Sequence, residues 1–355
     1  MKYRFLLILF FSASCIISCK NSSDPAPSKT PTYAVTTLAG SGTVGLVNGT
    51  GQSAEFNQPS GIAVDKNGNV YIADRSNHVI RKITSAGEVT TFAGSGTAGY
   101  TDETGTAAQF NLPTGVAVDI DGNIYVADQG NQVIRKITSA GVVSTFAGHA
   151  GISGTTNGDV SLAQFNYPTG IALDAAGNMY VADQGNNTIR KITASGDVST
   201  LAGSSSGYMD GTGTDAQFKN PVALVVDAHG NIYVSDQYNF KIRKVTSLGV
   251  VTTIAGSIQG YANATGTAAK FGYLFGITID AGGNLYAADQ TNNTIRKITS
   301  AGVVSTFAGT GTPGTGNGVS TSAQFITPDA IAFDAHGNLY IAEYGGQTIR
   351  KITAQ

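Results

Sequence analysis

The stretch Ala34-Val-Thr-Thr-Leu-Ala-Gly40 decides the fold, because its match recurs as Glu88-Val-Thr-Thr-Phe-Ala-Gly94, at the end of a repeated unit rather than at its start. The chain therefore opens on the last strand of a unit. Its final unit stops at Ile349-Arg-Lys-Ile-Thr353, with only Ala354 and Gln355 left where a closing strand should follow. The two ends complement one another. A linear array has no use for complementary halves, whereas a closed ring of blades is fastened by them. The sequence predicts an all-β circular propeller in which the N-terminal strand completes the last blade.

Outward from that stretch, the unit reads Pro-x-Gly-Ile-Ala-Val-Asp, Gly-Asn-x-Tyr-Val-Ala-Asp, Asn-x-x-Ile-Arg-Lys-Ile-Thr and Gly-x-Val-Thr-Thr-Phe-Ala-Gly. Its first position falls at Pro59, Pro113, Pro168, Pro221, Leu274 and Pro328, with spacings of 54, 55, 53, 53 and 54 residues. A period this long, with four β-rich runs per unit, gives a six-bladed propeller of four-stranded antiparallel blades. Within a unit, Ile62-Ala-Val64 and Val70-Tyr-Ile-Ala73 are apolar on both faces, as strands sandwiched between neighbouring blades should be. They are the inner strands a and b. Asp65-Lys-Asn-Gly68-Asn69 supplies the turn between them, since Gly and Asn tolerate positive φ. Strand c runs from Val79 to Thr84 and Ser85-Ala-Gly87 turns it into strand d. No stretch carries a sustained helical period.

This repeat resembles the NHL family of six-bladed propellers, and Asn77-His78-Val79 nearly spells the tripeptide behind that name. The resemblance covers residues 33 to 355. It implies the fold and leaves the activity open, because propellers host unrelated functions.

Ahead of the repeats, Lys2 and Arg4 precede an apolar run from Phe5 to Ile17, too short to span a bilayer and suited to a secretory signal peptide. Ile16-Ile17-Ser18-Cys19 resembles a bacterial lipobox. The expected organisation is a lipoprotein signal over 1–18, an acylated Cys19 with a flexible linker over 19–32, and the propeller over 33–355. Residues 20–32 hold almost nothing apolar that could offset the entropy of ordering them. The expected location is the bacterial cell envelope, at the outer membrane, with the lipid as the only membrane contact. Both cysteines lie in the leader, so the mature chain has no thiol for a disulfide or a metal.

Twelve of the 21 basic residues are the Arg-Lys pairs of strand c, and 12 of the 23 acids end strands a and b, so the two sets balance within the blades. Asp74, Asp128, Asp183, Asp236, Asp289 and Glu343 are each placed to form a bidentate pair with the Arg of the adjacent strand c. Strand alternation puts the b–c loops and the long d-to-a crossovers on one face, here called the top. Phe56, Phe110, Phe165, Phe218, Phe271 and Phe325 recur in the crossovers as packing anchors. Crossover acids (Glu55, Asp102, Glu103, Asp159, Asp210, Asp215, Asp329) outnumber Lys219, Lys270 and the loop bases Arg75 and Lys241, so the top is mildly acidic. Nucleic acid is therefore not an expected partner.

Some propellers resembling this one are lyases with a His-bound zinc, or lactonases with a carboxylate-bound calcium. Of the four histidines, His229 and His336 fall in bottom turns and His78 and His149 in top loops, so three cannot meet at one zinc and all four read as solvated. Asp329 is the one acid that breaks the repeat near the axis, fewer than calcium requires. No cofactor is expected. Other repeat-breaking residues gather on blades 4 and 5: Tyr238, Phe240, Tyr273, Phe275 and Lys219. With Asp329 they form the candidate ligand site, an aromatic surface with a polar rim suited to a carbohydrate or a protein partner. The expectation is a monomeric, non-catalytic envelope binding platform; a metal enzyme at the channel mouth and a structural scaffold are the alternatives.

Overall fold

The computed structural model describes residues 32–355; the expected signal peptide over 1–18, Cys19 and residues 20–31 of the expected linker lie outside the described residues. Six sheets surround a common axis. Blade 1 consists of strands a (Pro59–Val64), b (Val70–Asp74), c (Val79–Ile83) and d (Glu88–Ala93). Blades 2 to 5 repeat this order from Pro113, Pro168, Pro221 and Leu274. Blade 6 takes strands a (Pro328–Phe333), b (Leu339–Glu343) and c (Thr348–Ala354) from the end of the chain and strand d (Tyr33–Ala39) from its beginning. Tyr33 pairs with Ala354, Val35 with Ile352 and Thr37 with Arg350, and the Gln355 N–H donates to the Thr32 carbonyl at 2.8 Å. The ring is closed as the sequence predicts.

Local chemistry sets each turn. The Asp65 carboxylate accepts the backbone N–H groups of Asn67 and Asn69, both at 2.9 Å, and the Asn69 amide at 2.7 Å, which holds the a–b turn in shape. At the hub, strands a of neighbouring blades touch. A Cβ on Gly61 would sit 1.9 Å from the Thr114 carbonyl oxygen, so only glycine lets blades 1 and 2 approach this closely. Apolar residues fill the wedges between blades: Ala63, Tyr71 and Ala73 of blade 1 pack with Val116 and Val126 of blade 2 and with the crossover Phe110. The core is thus six inter-blade wedges, and each of them needs both of its blades.

The predicted carboxylate–arginine pairs form, at 2.7 to 3.1 Å, but they are not bidentate. Each guanidinium divides its donors. One Arg81 nitrogen serves Asp74 at 2.9 Å and the Glu55 carbonyl at 2.8 Å; the other serves the Val47 carbonyl and the Asn48 side chain, both at 2.9 Å. The second Asp74 oxygen accepts the Asn57 N–H at 2.7 Å. Arg81 is fully buried and its guanidinium lies 5.0 Å from the centre of the Phe56 ring. Each Arg therefore fastens a crossover onto its blade. Burial raises Asp74 and Asp128 to about 6, which leaves both ionised at neutral pH.

The crossovers depart from the expectation that they simply form the top. After leaving strand d of one blade they run along the outer edge of the next, where Gly49 pairs with Val89 and Thr50 with Glu88. The Gly51 N–H then reaches the Gly87 carbonyl in the c–d turn at 2.9 Å. This covers the otherwise open edge of strand d. Two crossover acids counted as free charge are also engaged: Asp102 pairs with Arg135, and Asp210 with Arg243 at 2.7 Å.

Candidate functional site

At the top, the second residue of every strand a and the first residue of most b–c loops converge on the axis around a cavity of about 440 Å³. From strand a come Ser60, Thr114, Thr169, Val222, Phe275 and Asp329; from the loops come Arg75, Gln129, Gln184, Gln290 and Tyr344. Gln237 instead accepts the Asn220 amide at 2.6 Å. The b–c loops can aim these residues because each is a tight turn ended by a residue in left-handed conformation, from φ 51° at Asn293 to φ 64° at Gln132.

Polar groups are ordered around this mouth. Arg75 donates to the Gln129 amide oxygen at 3.1 Å, and Gln129 donates to Gln184 at 3.1 Å. Opposite them, Gln290 donates to the Asp329 carboxylate at 3.3 Å. Asp329 is 3 % exposed, and burial pushes its carboxyl up to about 7, against the opposing pull of the Ser60 hydroxyl and the Arg75 guanidinium. One flank of the mouth (Phe275, Asp329, Tyr344, Arg75) breaks the repeat, while the other keeps its hydroxyls and amides. The Thr327 hydroxyl on the broken flank has no hydrogen-bond partner among the described residues.

A second asymmetry lies on the rim. In five of the six b–c loops the left-handed residue accepts a backbone N–H from the next blade's crossover: His78 Nδ1 from Leu112 at 3.1 Å, Gln132 from Tyr167 at 2.6 Å, and Asn187 from Asn220 at 2.9 Å. Asn293 likewise accepts from Thr327 at 2.9 Å, and Gln347 from Gln58 at 2.6 Å. Only the interface of blades 4 and 5 lacks this bond among the described residues, because Phe240 has no acceptor. Phe240 holds φ 55° and stacks on Tyr273 at 5.7 Å between ring centres, while Tyr238 packs on Tyr273 at 5.5 Å. The Tyr273 N–H is rescued by the Thr291 hydroxyl at 3.1 Å. Left-handed backbone is unfavourable for an aromatic residue, and Phe240 is the one aromatic at this loop position; Tyr273, unlike its counterparts Gln58, Leu112, Tyr167, Asn220 and Thr327, is not left-handed.

Of the predicted site residues, Tyr238, Phe240 and Tyr273 form this rim cluster, 46 % of Tyr238 and 36 % of Tyr273 being exposed. Lys219 is exposed beside them, its carbonyl accepting the Tyr238 N–H at 3.1 Å. Phe275 and Asp329 stand apart from the cluster, in the axial cavity. The cavity's glutamines, Arg75 and Tyr344 escape a reading of single loops; aligning the first residue of all six b–c loops is the signal that finds them. The expectation that all four histidines are solvated is corrected for His78, whose half-buried ring bridges blades 1 and 2. Among the described residues, no three His, Cys, Asp or Glu side chains gather as metal ligands.

The profile of the NHL repeat matches residues 56–83, 110–137 and 165–192. Each match starts at a crossover Phe and ends at the last residue of a strand c. The chain is 30 % identical over 284 residues, 74 % of its length, to Protein SUPPRESSOR OF QUENCHING 1, chloroplastic, of Arabidopsis thaliana, and spans 27 % of that protein. Among solved structures it resembles a protein of unknown function from Bacteroides thetaiotaomicron, with TM-score 0.71, 23 % identity, and coverage of 92 % of this chain and 77 % of the other. An auxiliary nutrient binding protein from Bacteroides ovatus gives TM-score 0.70 and 18 % identity, covering 92 % and 78 %. These likenesses concern the fold.

Proposed function

We propose that this NHL-repeat propeller is a non-catalytic binding platform of the bacterial cell envelope, taking a carbohydrate or protein ligand on its top face. One observation carries the reading: at the interface of blades 4 and 5 the chain forgoes the hydrogen bond made at the five others and holds Phe240 in left-handed backbone. In exchange it presents a half-exposed aromatic surface. Departures from a local rule without gain in stability mark functional sites. The axial cavity beside the cluster lies in the size range of small-ligand sites. A propeller of similar fold described as an auxiliary nutrient binding protein supports the same direction.

The test is a screen of the full chain against immobilised envelope glycans and displayed peptides, alongside the variant Tyr238→Gly/Phe240→Gln. The substituted residues are those blade 2 uses at the same places. Loss of a captured ligand by the variant, with an unchanged or higher melting temperature, is the expected result. Equal capture by both proteins sinks the assignment to this rim. Envelope anchoring is tested separately: Cys19→Ser should abolish incorporation of a fatty-acid analogue, and label retained at the wild-type level refutes the anchor.

A further inference from the structure

The axial mouth carries one cation, Arg75, and one buried carboxyl, Asp329, on the same flank, and burial raises the carboxyl to about 7 against the pull of the Arg75 charge. The remaining polar lining is neutral amide and hydroxyl. A site so balanced favours a neutral ligand, because a net charge entering it would be desolvated without full compensation. Its hydrogen-bonding groups alternate in kind. The chain Arg75 to Gln129 to Gln184 ends on the Gln184 amide nitrogen, a donor with no partner among the described residues, and Arg75, also in the lining, has further N–H groups. Farther round the mouth, Gln290 donates to the Asp329 carboxyl, which also meets the Ser60 hydroxyl, so the Gln290 amide oxygen remains as an acceptor.

Free donors and a free acceptor around one mouth suit a molecule whose groups both donate and accept at close spacing. Hydroxyls on adjacent carbons do so. Phe275 and Tyr344 add flat apolar surface in the same cavity, which suits the C–H face of a saturated ring. The rim continues from the mouth: the Tyr273 carbonyl accepts the Gln290 N–H at 2.9 Å, so the aromatic cluster starts directly behind a cavity residue.

We infer that the mouth binds the end of a neutral oligosaccharide, one sugar ring lying between the Arg75–Asp329 pair and Phe275 and the next ring resting on Tyr273 and its aromatic neighbours. This rests on the binding role proposed above and narrows it to one ligand class and one pocket.

The test is calorimetric titration of the full chain with maltotriose, cellotriose, mannotriose and xylotriose, with glucose as the monosaccharide. Trigalacturonate and a neutral tripeptide serve as counter-probes. At least one neutral trisaccharide should bind, about tenfold or more tighter than the monosaccharide. Arg75→Gln and Asp329→Thr install the residues blade 2 uses, so the fold tolerates them elsewhere. Each should weaken trisaccharide binding about tenfold, the scale of one well-formed polar contact, with melting temperature retained. Tyr238→Gly/Phe240→Gln should weaken the trisaccharide and spare the monosaccharide. Binding of trigalacturonate or the peptide with neutral sugars inert overturns the sugar class yet leaves a binding platform. Sugar binding indifferent to both mouth variants overturns the pocket. No response to any sugar overturns the inference outright, and the platform reading then depends on the rim variant in the wider screen.

Discussion

Replacing Glu343 by Asp should destabilise the propeller by about 2–3 kcal/mol, although the other five blades all carry Asp at this place. The reason is a compensated exchange. In blade 1 the Asp74 carboxylate accepts the Asn77 amide at 2.8 Å, and the same amide donates to the Gly45 carbonyl at 2.7 Å; blades 2 to 5 repeat the arrangement. Blade 6 has Gly346 where the Asn belongs. Its longer Glu343 fills the space, one oxygen accepting the Ile326 N–H at 2.7 Å and the other Arg350 at 3.1 Å and the Thr348 hydroxyl at 2.5 Å. The shorter aspartate would leave a methylene-sized gap, worth about 1 kcal/mol, and an orphaned Thr348 hydroxyl, worth about 1–2 kcal/mol. Thr188 and Thr294, which face Asp in blades 3 and 5, already have unpartnered hydroxyls. Gly346→Asn alone should also destabilise, by about 1–3 kcal/mol, because its Cβ would lie 3.0 Å from the Glu343 Cβ and 3.2 Å from its carboxylate. The double variant recreates the arrangement of blades 1 to 5 and should return to within about 1 kcal/mol of the parent. Urea unfolding followed by tyrosine fluorescence, in a chain without Trp, measures the cycle. Additivity of the two single effects to within about 0.5 kcal/mol would refute the argument.

Phe240→Gln should leave the melting temperature close to the parent's, since the Tyr273 N–H keeps the Thr291 hydroxyl as its acceptor at 3.1 Å and Gln132 shows that this left-handed position tolerates glutamine; a clear drop would show that the stacked rings contribute to stability. Deleting residues 33 to 42 should destabilise the entire ring, because it leaves blade 6 three-stranded with an open edge; an unchanged midpoint in thermal unfolding would sink the closure argument. His78 accepts a hydrogen bond only while neutral, and burial together with Arg75 holds its pKa below the ordinary value. The stability it contributes is therefore present above the ordinary histidine pKa and is lost as pH falls through the lowered one. His78→Gln should reduce the acid sensitivity of the unfolding midpoint, and identical pH profiles for variant and parent would contradict the assigned bond.

The ring, its seam and the carboxylate–arginine pairs are legible in the sequence because each is written six times, or twice at matching ends. What escapes is whatever depends on where a loop travels. The crossover that starts at Gly40 carries no sign in its own residues that Gly51 will meet Gly87 on the far side of the next blade. A lone Arg likewise does not reveal that it will divide its donors between a carboxylate and that loop. The inter-blade bonds are hidden for a different reason. His78, Gln132, Asn187, Asn293 and Gln347 share no side-chain identity, only left-handed backbone and an acceptor, so dissimilar residue types conceal a common role. Phe240 and Asp329 are visible as departures from the repeat. Arg75 and Tyr344 become visible once the mouth is assembled from all six loops.

The seam between Tyr33–Ala39 and Thr348–Ala354 also governs when the molecule can finish folding. Hairpins within a blade close over a few residues, but this pairing joins Tyr33 to Ala354, and closing a loop of that length costs about 5 kcal/mol in chain entropy. Blades 1 to 5 can each form from one continuous stretch of chain, whereas the sixth waits for Tyr33–Ala39 and Thr348–Ala354 to meet, holding an exposed strand edge meanwhile. Because Thr32 and Gln355 are hydrogen-bonded neighbours, the ends can be linked and the chain reopened in a crossover without disturbing a blade. Such a permutant keeps every strand beside its sequence neighbour. It should reach the same ring faster, with refolding kinetics that lose the slow step set by the seam.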